Sequence, residues 1–318
     1  MKKLITFIVI LLGLFFIIRL FWGSMLGSRS EDKSTKPFAI QQGESVSSIA
    51  QRLAEEKLIR SSLAFKLALK LQKGSPHIEA GDFYLSPSMS IPEIISNLAK
   101  GSQDQKVTLL EGWRIEEMAQ KLSDELGVSS SEFIKSAKEG YMFPDTYSFN
   151  KNISAQDIAT TLKNTFKQRY TDQLQQKIKS KGLSSDEGVI LASIVEREAR
   201  SDQVRTEVAS ILLKRLKIGM ALNADATLQY ILGYQKDEKS WWRKNLTDED
   251  KKINSLYNTY LHAGLPPHPI SNPGLSSLKA VANADSSTPY FYYYHDSKGN
   301  SHYAKTLEEH NQNVANYP

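Results

Sequence analysis

The 318-residue chain carries 40 Lys+Arg against 35 Asp+Glu, a net charge of +5, and no cysteine. Disulfides, thiolate chemistry and a lipid-modified cysteine anchor are therefore excluded, and the fold rests on its own core. With 40% hydrophobic and 24% charged residues the composition is globular, and the basic residues are spread along the chain instead of forming the patch or tail that nucleic-acid binding needs, so no nucleic-acid partner is expected.

After Met1-Lys2-Lys3 an apolar run extends from Leu4 to Trp22, broken only by Arg19. About 20 such residues span a bilayer as a helix, and an arginine near the end can snorkel. The rival reading is a cleaved signal peptide, but Gly23 to Gly27 makes a poor cleavage site and the run is long for one. A retained single-pass anchor over residues 1–27 is expected, with Lys2 and Lys3 cytoplasmic and the bulk of the chain on the far side of the cell membrane. Residues 28–36 are polar without periodicity and read as a linker.

The segment 37–102 predicts a small α/β unit. Phe38 to Ile40 is a strand, Gly43 a turn, and Ser45 caps a helix with Val46, Ile49, Ala50 and Leu53 on one face. A second helix carries Leu63, Phe65, Leu67, Ala68 and Leu71; a strand covers Ile78 to Leu85, and a third helix Ile91 to Leu98. The larger segment 103–318 opens with a near copy: Val107 to Leu110 as a strand, Gly112 as a turn, then Ile115, Met118, Ala119 and Leu122 at the spacing of Val46, Ile49, Ala50 and Leu53. Two copies are too few for a solenoid and read as a duplicated strand–helix unit. Helical patterns continue through 131–138, 155–179, the helix that carries Glu196, and 204–218; Tyr290 to His295 and Ser301 to Tyr303 flank a hairpin turn. The fold class is α+β and helix-rich, with a C-terminal β-hairpin.

Ser184-Ser-Asp-Glu187 is a capping box that starts a helix through Val189 to Val195. Its apolar run ends at Glu196, where burial would raise the carboxyl pKa and suit a general acid. Neighbours Ala192, Ser193 and Ala199 are small enough to leave room for a ligand; a second reading pairs Glu196 with Arg200 at i,i+4 and keeps it ionised. Glu198 points elsewhere and reads as a solvated acid. Tyr141 to Tyr147 concentrates aromatics with Asp145 at a proline turn, which suits sugar rings but also a strand whose aromatics are core. Asp225, after Leu222-Asn223, lines a site or caps a helix, and Tyr257-Asn258-Thr259-Tyr260 precedes a Pro/Gly-rich loop, Gly264 to Gly274, of the kind that fixes site side chains. The six histidines lack zinc spacing, and no P-loop, dinucleotide or Gly-x-Ser-x-Gly motif is present, so neither metal nor cofactor is expected.

In order, Glu139 to Tyr147, Leu191 to Glu196, Arg215 to Leu222, Tyr257 to Tyr260, Gly264 to Pro267 and Ile270 to Gly274 resemble the blocks of the MltG (YceG-like) family of membrane-anchored endolytic murein transglycosylases. The family's usual glutamine, proline and glycine are replaced here by Asn223, Ala226 and His268. The resemblance implies that the first unit is LysM-like and contacts peptidoglycan, that 103–318 is the catalytic domain, and that Glu196 matches the catalytic glutamate. It implies cleavage of the β-1,4 bond from N-acetylmuramic acid to N-acetylglucosamine in nascent glycan strands, leaving a 1,6-anhydro end and terminating the strand. Asp145, Tyr147, Asn223, Asp225, Tyr257, Asn258 and Tyr260 are the expected groove residues, and cell-wall synthases the expected partners beside glycan and lipid bilayer. A two-carboxylate lysozyme-type muramidase and a non-catalytic wall-binding scaffold remain as alternatives.

Overall fold

Among the described residues one hydrophobic core gathers side chains between Phe38 and Leu98 and another side chains between Phe143 and Ala284 in the computed structural model, which describes residues 22–72, 78, 80–99, 104–150, 153–199 and 201–317 together with Gly13 and Phe16. The expected membrane span falls, apart from Gly13, Phe16 and Trp22, outside the described residues; among them no helix is long and apolar enough to cross a membrane.

The first unit comprises residues 1–105 with 148–153. Strand β1 (Lys36–Ile40) pairs antiparallel with β2 (Gly81–Leu85), Phe38 opposite Phe83. Alternation sends Phe38, Ile40, Phe83 and Leu85 into the core. Helices α1 (Val46–Glu55), α2 (Ser62–Leu71) and α3 (Ile91–Ala99) cover that face, the first two capped by the hydroxyls of Ser45 and Ser61. The segment read as a free linker is tied down: Arg29 donates from Nη1 to Ile59 O (2.9 Å), Arg29 N and Ser30 N donate to Pro87 O, and Ser86 Oγ donates to Asp32 O. Such contacts run through backbone carbonyls and leave no periodic trace in the sequence.

The second unit comprises 106–147 and 154–318. Strands β3 (Asp104–Thr108) and β4 (Thr146–Asn150) pair with each other, and the division between units runs through both. Helices α4 (Ile115–Leu126), α5 (Ser130–Ser136), α6 (Ala155–Arg169) and α7 (Asp172–Ser180) follow. The continuous pattern expected over 155–179 breaks at Thr171, whose hydroxyl accepts from Leu174 N and caps α7. Helix α8 (Ser185–Glu198) is buried at every position from Gly188 to Val195, with α7, α9 (Asp202–Lys217), α10 (Asp225–Leu232) and α11 (Leu275–Asn283) packed around it. A helix apolar on all sides belongs at the centre of a core. The antiparallel hairpin of β5 (Tyr292–His295) and β6 (Ser301–Ala304) turns on Asp296, which accepts from the amides of Lys298 and Asn300, and α12 (Leu307–Asn316) packs against it.

The duplicated unit is visible in both places as a strand, a glycine with positive φ (Gly43 at 81°, Gly112 at 75°) and a helix. The copies differ in surroundings: a Cβ on Gly43 would meet nothing, whereas one on Gly112 would lie 3.3–3.4 Å from Arg197 and Glu196. The second copy has thus been built into the end of α8.

Gly140 is a tight junction of the second unit: its φ is 85°, and a Cβ there would sit 2.4 Å from the Pro269 ring. Gly140→Ala is expected to destabilise the unit by about 2–4 kcal/mol, from overpacking and left-handed backbone strain together, as read by urea denaturation.

Candidate active site

Along a helix of 3.6 residues per turn, two residues apart means about 200° around the axis. Glu196 and Glu198 therefore leave the end of α8 in different directions, and their environments differ in kind.

Glu196 faces the N-terminus of α11. Its side chain is 3% exposed; one oxygen accepts from Arg205 (3.0 Å) and the other from Gly274 N (2.8 Å), with Glu111 also within reach of Arg205 at 3.8 Å. The partner anticipated from spacing, Arg200, lies outside the described residues; the observed one comes from α9. Ser193 does not open space for a ligand. Its hydroxyl accepts from Ile270 N (3.0 Å), while its carbonyl accepts from Ser271 Oγ (3.0 Å), so small residues on this face admit the Pro/Gly-rich loop. Asn272 extends the brace, donating from Nδ2 to Trp113 O and Glu139 and accepting from Met142 N.

Glu198, expected to be solvated, is instead the carboxylate of a cleft. Two adjoining cavities of ≈440 and ≈480 Å³ share Glu198, Asp225 and His295 in their walls. The first is aromatic, with Tyr260, Tyr292, Tyr293, Tyr294 and His310; the second is polar, with Arg197, Ser201, Gln229 and Ser301. Burial pushes Glu198 up to about 7, and the Asp225 charge adds to the shift. Hydrogen bonds from Tyr293 O–H (3.2 Å) and Ala226 N–H (3.5 Å) act in the opposite sense. Its place at the C-terminal end of α8, where the helix dipole is negative, further disfavours the charged form. A carboxyl poised near neutrality can give and take a proton at the same pH.

Arg215 on α9 fixes the geometry of the aromatic cavity. It is 5% exposed, donates to Phe291 O (2.7 Å) at the start of the hairpin and to Leu222 O (2.6 Å) before Asn223, and so ties two walls together. Asn223 lines the cleft in the left-handed region (φ 49°). Asp225 does not cap α10, whose N-cap Ala224 offers no side chain; it accepts from Tyr260 O–H (2.5 Å). Of the expected groove residues, Asn223, Asp225 and Tyr260 surround Glu198.

The others lie elsewhere. Asp145 pairs with Arg169 at the surface (3.4 Å), and Tyr147 is buried with its hydroxyl donating to Phe143 O (2.7 Å), so this aromatic motif is core. Asn258 is fully buried and closes its own loop through Lys251 O and Ile253 O, while Tyr257 packs on Tyr230. Among the described residues no cluster of His, Asp and Glu is arranged to hold a metal ion. Arg205, Arg215, Tyr293 and His310 escaped sequence reasoning; the legible signal was for Glu198, whose i−3 and i−4 neighbours Val195 and Ile194 are both aliphatic.

The site is thus a protonatable carboxyl at a buried helix end, facing an open two-part cleft on an α+β scaffold with small sheets. The chain belongs to the YceG-like family, whose model matches residues 38–316. It is 32% identical to the endolytic murein transglycosylase of Bacillus subtilis (strain 168), over 90% of this chain and 86% of that one. The endolytic murein transglycosylase of Streptococcus pneumoniae serotype 2 is 25% identical over 92% of this chain, which spans 60% of that longer protein. A crystal structure of a YceG-like protein from Listeria monocytogenes superposes with a TM-score of 0.59 at 26% identity, over 88% of this chain and 99% of that one.

Two stability predictions follow from the geometry. Arg205→Ala leaves Glu196 buried and unpaired, and is expected to cost about 3–5 kcal/mol in urea denaturation. Burial raises Glu198 to about 7 and Glu139 to about 8, from an ordinary 4.5. Between those values the native state binds more protons than the unfolded chain, so stability falls as pH rises from about 4.5 to 8, by up to about 1.4 kcal/mol per pH unit for each group. Glu198→Gln and Glu139→Gln should each flatten that slope when unfolding is measured at pH 5, 6, 7 and 8.

Proposed function

We propose that this chain is an endolytic murein transglycosylase in which Glu198, and not Glu196, is the acid and base. The observation that carries the assignment is the cleft carboxyl poised near 7 between an aromatic and a polar wall. Glu196, with both oxygens taken by Arg205 and Gly274, serves to hold α11 and the preceding loop in place.

In this reading the glycan lies across Glu198, with sugar rings on both sides of the bond to be cut. Protonated Glu198 gives its proton to the glycosidic oxygen as the C1–O bond breaks, releasing the N-acetylglucosamine side as an alcohol. Positive charge develops at C1 of the muramyl ring, and the Asp225 carboxylate, oriented by Tyr260, lies where it can stabilise that charge. Glu198, now a carboxylate, takes the proton of the muramyl 6-hydroxyl as its oxygen closes on C1. The product is a 1,6-anhydro ring, and Glu198 returns to its starting form. No water is consumed, so a second catalytic carboxylate is not required.

Asp225 gives the muramidase alternative its footing, because two carboxylates do share the cleft. Product mass decides between them: anhydro ends are one water lighter than the reducing ends of hydrolysis. The apolar run Leu4 to Trp22 supports anchoring to the cell membrane with the cleft on the extracytoplasmic side, where nascent strands are made and would be terminated. On this reading the first unit is a LysM-like glycan contact, and synthases making those strands are natural partners.

Glu198→Gln is expected to lower the yield of anhydro-muropeptides from purified peptidoglycan by about 10²–10⁴-fold, while Glu196→Gln retains the same products at a rate limited by its stability. The reverse order of effects would return the acid role to Glu196. For the wild type, kcat/KM should fall as pH rises through about 7, because the productive free enzyme carries the proton. A flat profile from pH 6 to 8.5 would contradict the assignment.

A further inference from the structure

Tyr257 and Glu139 are motif residues that do not line the cleft, yet the fold brings them together. Tyr257 and Tyr230 form a ring pair with centroids 5.1 Å apart, on a separate cavity of ≈310 Å³ whose wall also includes Lys138, Glu139, His268 and Pro269. Both rings are partly exposed, and neither phenol O–H is hydrogen-bonded among the described residues. A tyrosine buried for packing normally finds a partner for its hydroxyl; one that presents ring and hydroxyl to a cavity is arranged for a ligand.

The platform is rigid. The Arg114 guanidinium lies 4.1 Å from the Tyr230 ring centre and 4.7 Å from that of Trp241, and donates to Tyr230 O (3.1 Å). Glu139 is held just as firmly, its two oxygens accepting from Asn272 Nδ2 (2.7 Å) and Ile115 N (3.3 Å). Burial raises it to about 8, so it carries a proton at neutral pH, and every hydrogen bond it makes among the described residues is one it accepts. The acid O–H is left for a ligand oxygen. Lys138, exposed at the rim with its ammonium 3.9 Å from the Tyr141 ring centre, adds a donor, and Pro269 closes the wall through its approach to Gly140.

We propose that this cavity is a second saccharide site, taking one N-acetylated hexose of the glycan against the Tyr230–Tyr257 pair, with Glu139 and Lys138 donating to its hydroxyl or acetamido oxygens. The proposal rests on the glycan-cleaving reading of the cleft. Both sites are built on the same two elements: α10 carries Asp225 in the cleft and Tyr230 here, about 7.5 Å further along its axis, and one loop carries Tyr260 in the cleft and Tyr257 here. The site therefore retains a strand beside the cleft and favours substrates long enough to reach both.

The test is amide chemical-shift mapping of the deuterated full chain, carrying Glu198→Gln and held in detergent micelles, titrated with tri-N-acetylglucosamine. Two sets of shifts are expected: one at the cleft around Tyr260 and Tyr293, the other around Lys138, Tyr230, Tyr257 and His268. Tyr230→Leu, which keeps apolar volume and loses the ring, should weaken the second set at least tenfold and leave the first unchanged. Lys138→Ala, a change at an exposed position, should weaken the second set about threefold, which keeps the test open if the tyrosine variant misfolds. Shifts confined to the cleft, or a second set indifferent to both substitutions, would overturn the second site. Loss of the cleft set would count against the cleft itself, and the residues that shift tell the two failures apart.

Discussion

The end of helix α8 sets the constraint on which the rest of the second unit depends. The helix is buried on every side, so any carboxylate at its last turn must find a partner or accept protonation. Two carboxylates stand there, and helical geometry forces them apart. Glu196 finds Arg205 and the Gly274 amide; Glu198 finds Tyr293 and Ala226, with Asp225 pressing against it. One is held by two donors, and on the proposed mechanism the other carries the proton. A guanidinium faces Glu196, whereas the Asp225 charge adds to the burial that raises Glu198.

The surrounding elements serve that end of the helix. Ser193 and Asn272 draw the Pro/Gly-rich loop onto α8 and onto the segments at Trp113 and Met142, so α11 starts where Glu196 can meet it. Arg215 joins the hairpin to the loop before Asn223 through two carbonyls, holding the cleft's aromatic wall opposite Asn223 and Asp225. Each of these polar side chains is buried, and each would cost about 1–3 kcal/mol if left unsatisfied. A proton carrier held this rigidly needs little reorganisation when charge moves in the cleft.

Much of this was legible in the residues. Periodicity located α1 to α4, α8 and α9, the hairpin was set by its turn, and the block order pointed to the YceG-like family before any coordinates. What escaped has physical causes. Thr171 and the anchored segment around Arg29 act through hydroxyl and carbonyl contacts that pattern does not encode. Spacing predicts a solvated Glu198 because it shows which neighbours lie along a helix, not what packs from elsewhere: Asp225 and Tyr293 are 27 and 95 positions away. Asn223, Asp225 and Tyr260 could be proposed from polarity and the family motif, yet the carboxylate they surround could be found only once α10 and the hairpin were in place.

The proposed mechanism requires Glu198 to hold a proton near neutrality inside the cleft. Isotope-edited infrared difference spectra of the wild type against Glu198→Gln read that proton directly through the carboxylic C=O band. A protonated band that disappears with a midpoint near pH 7 is expected. A midpoint near 4.3, the value of an ordinary exposed glutamate, would contradict it.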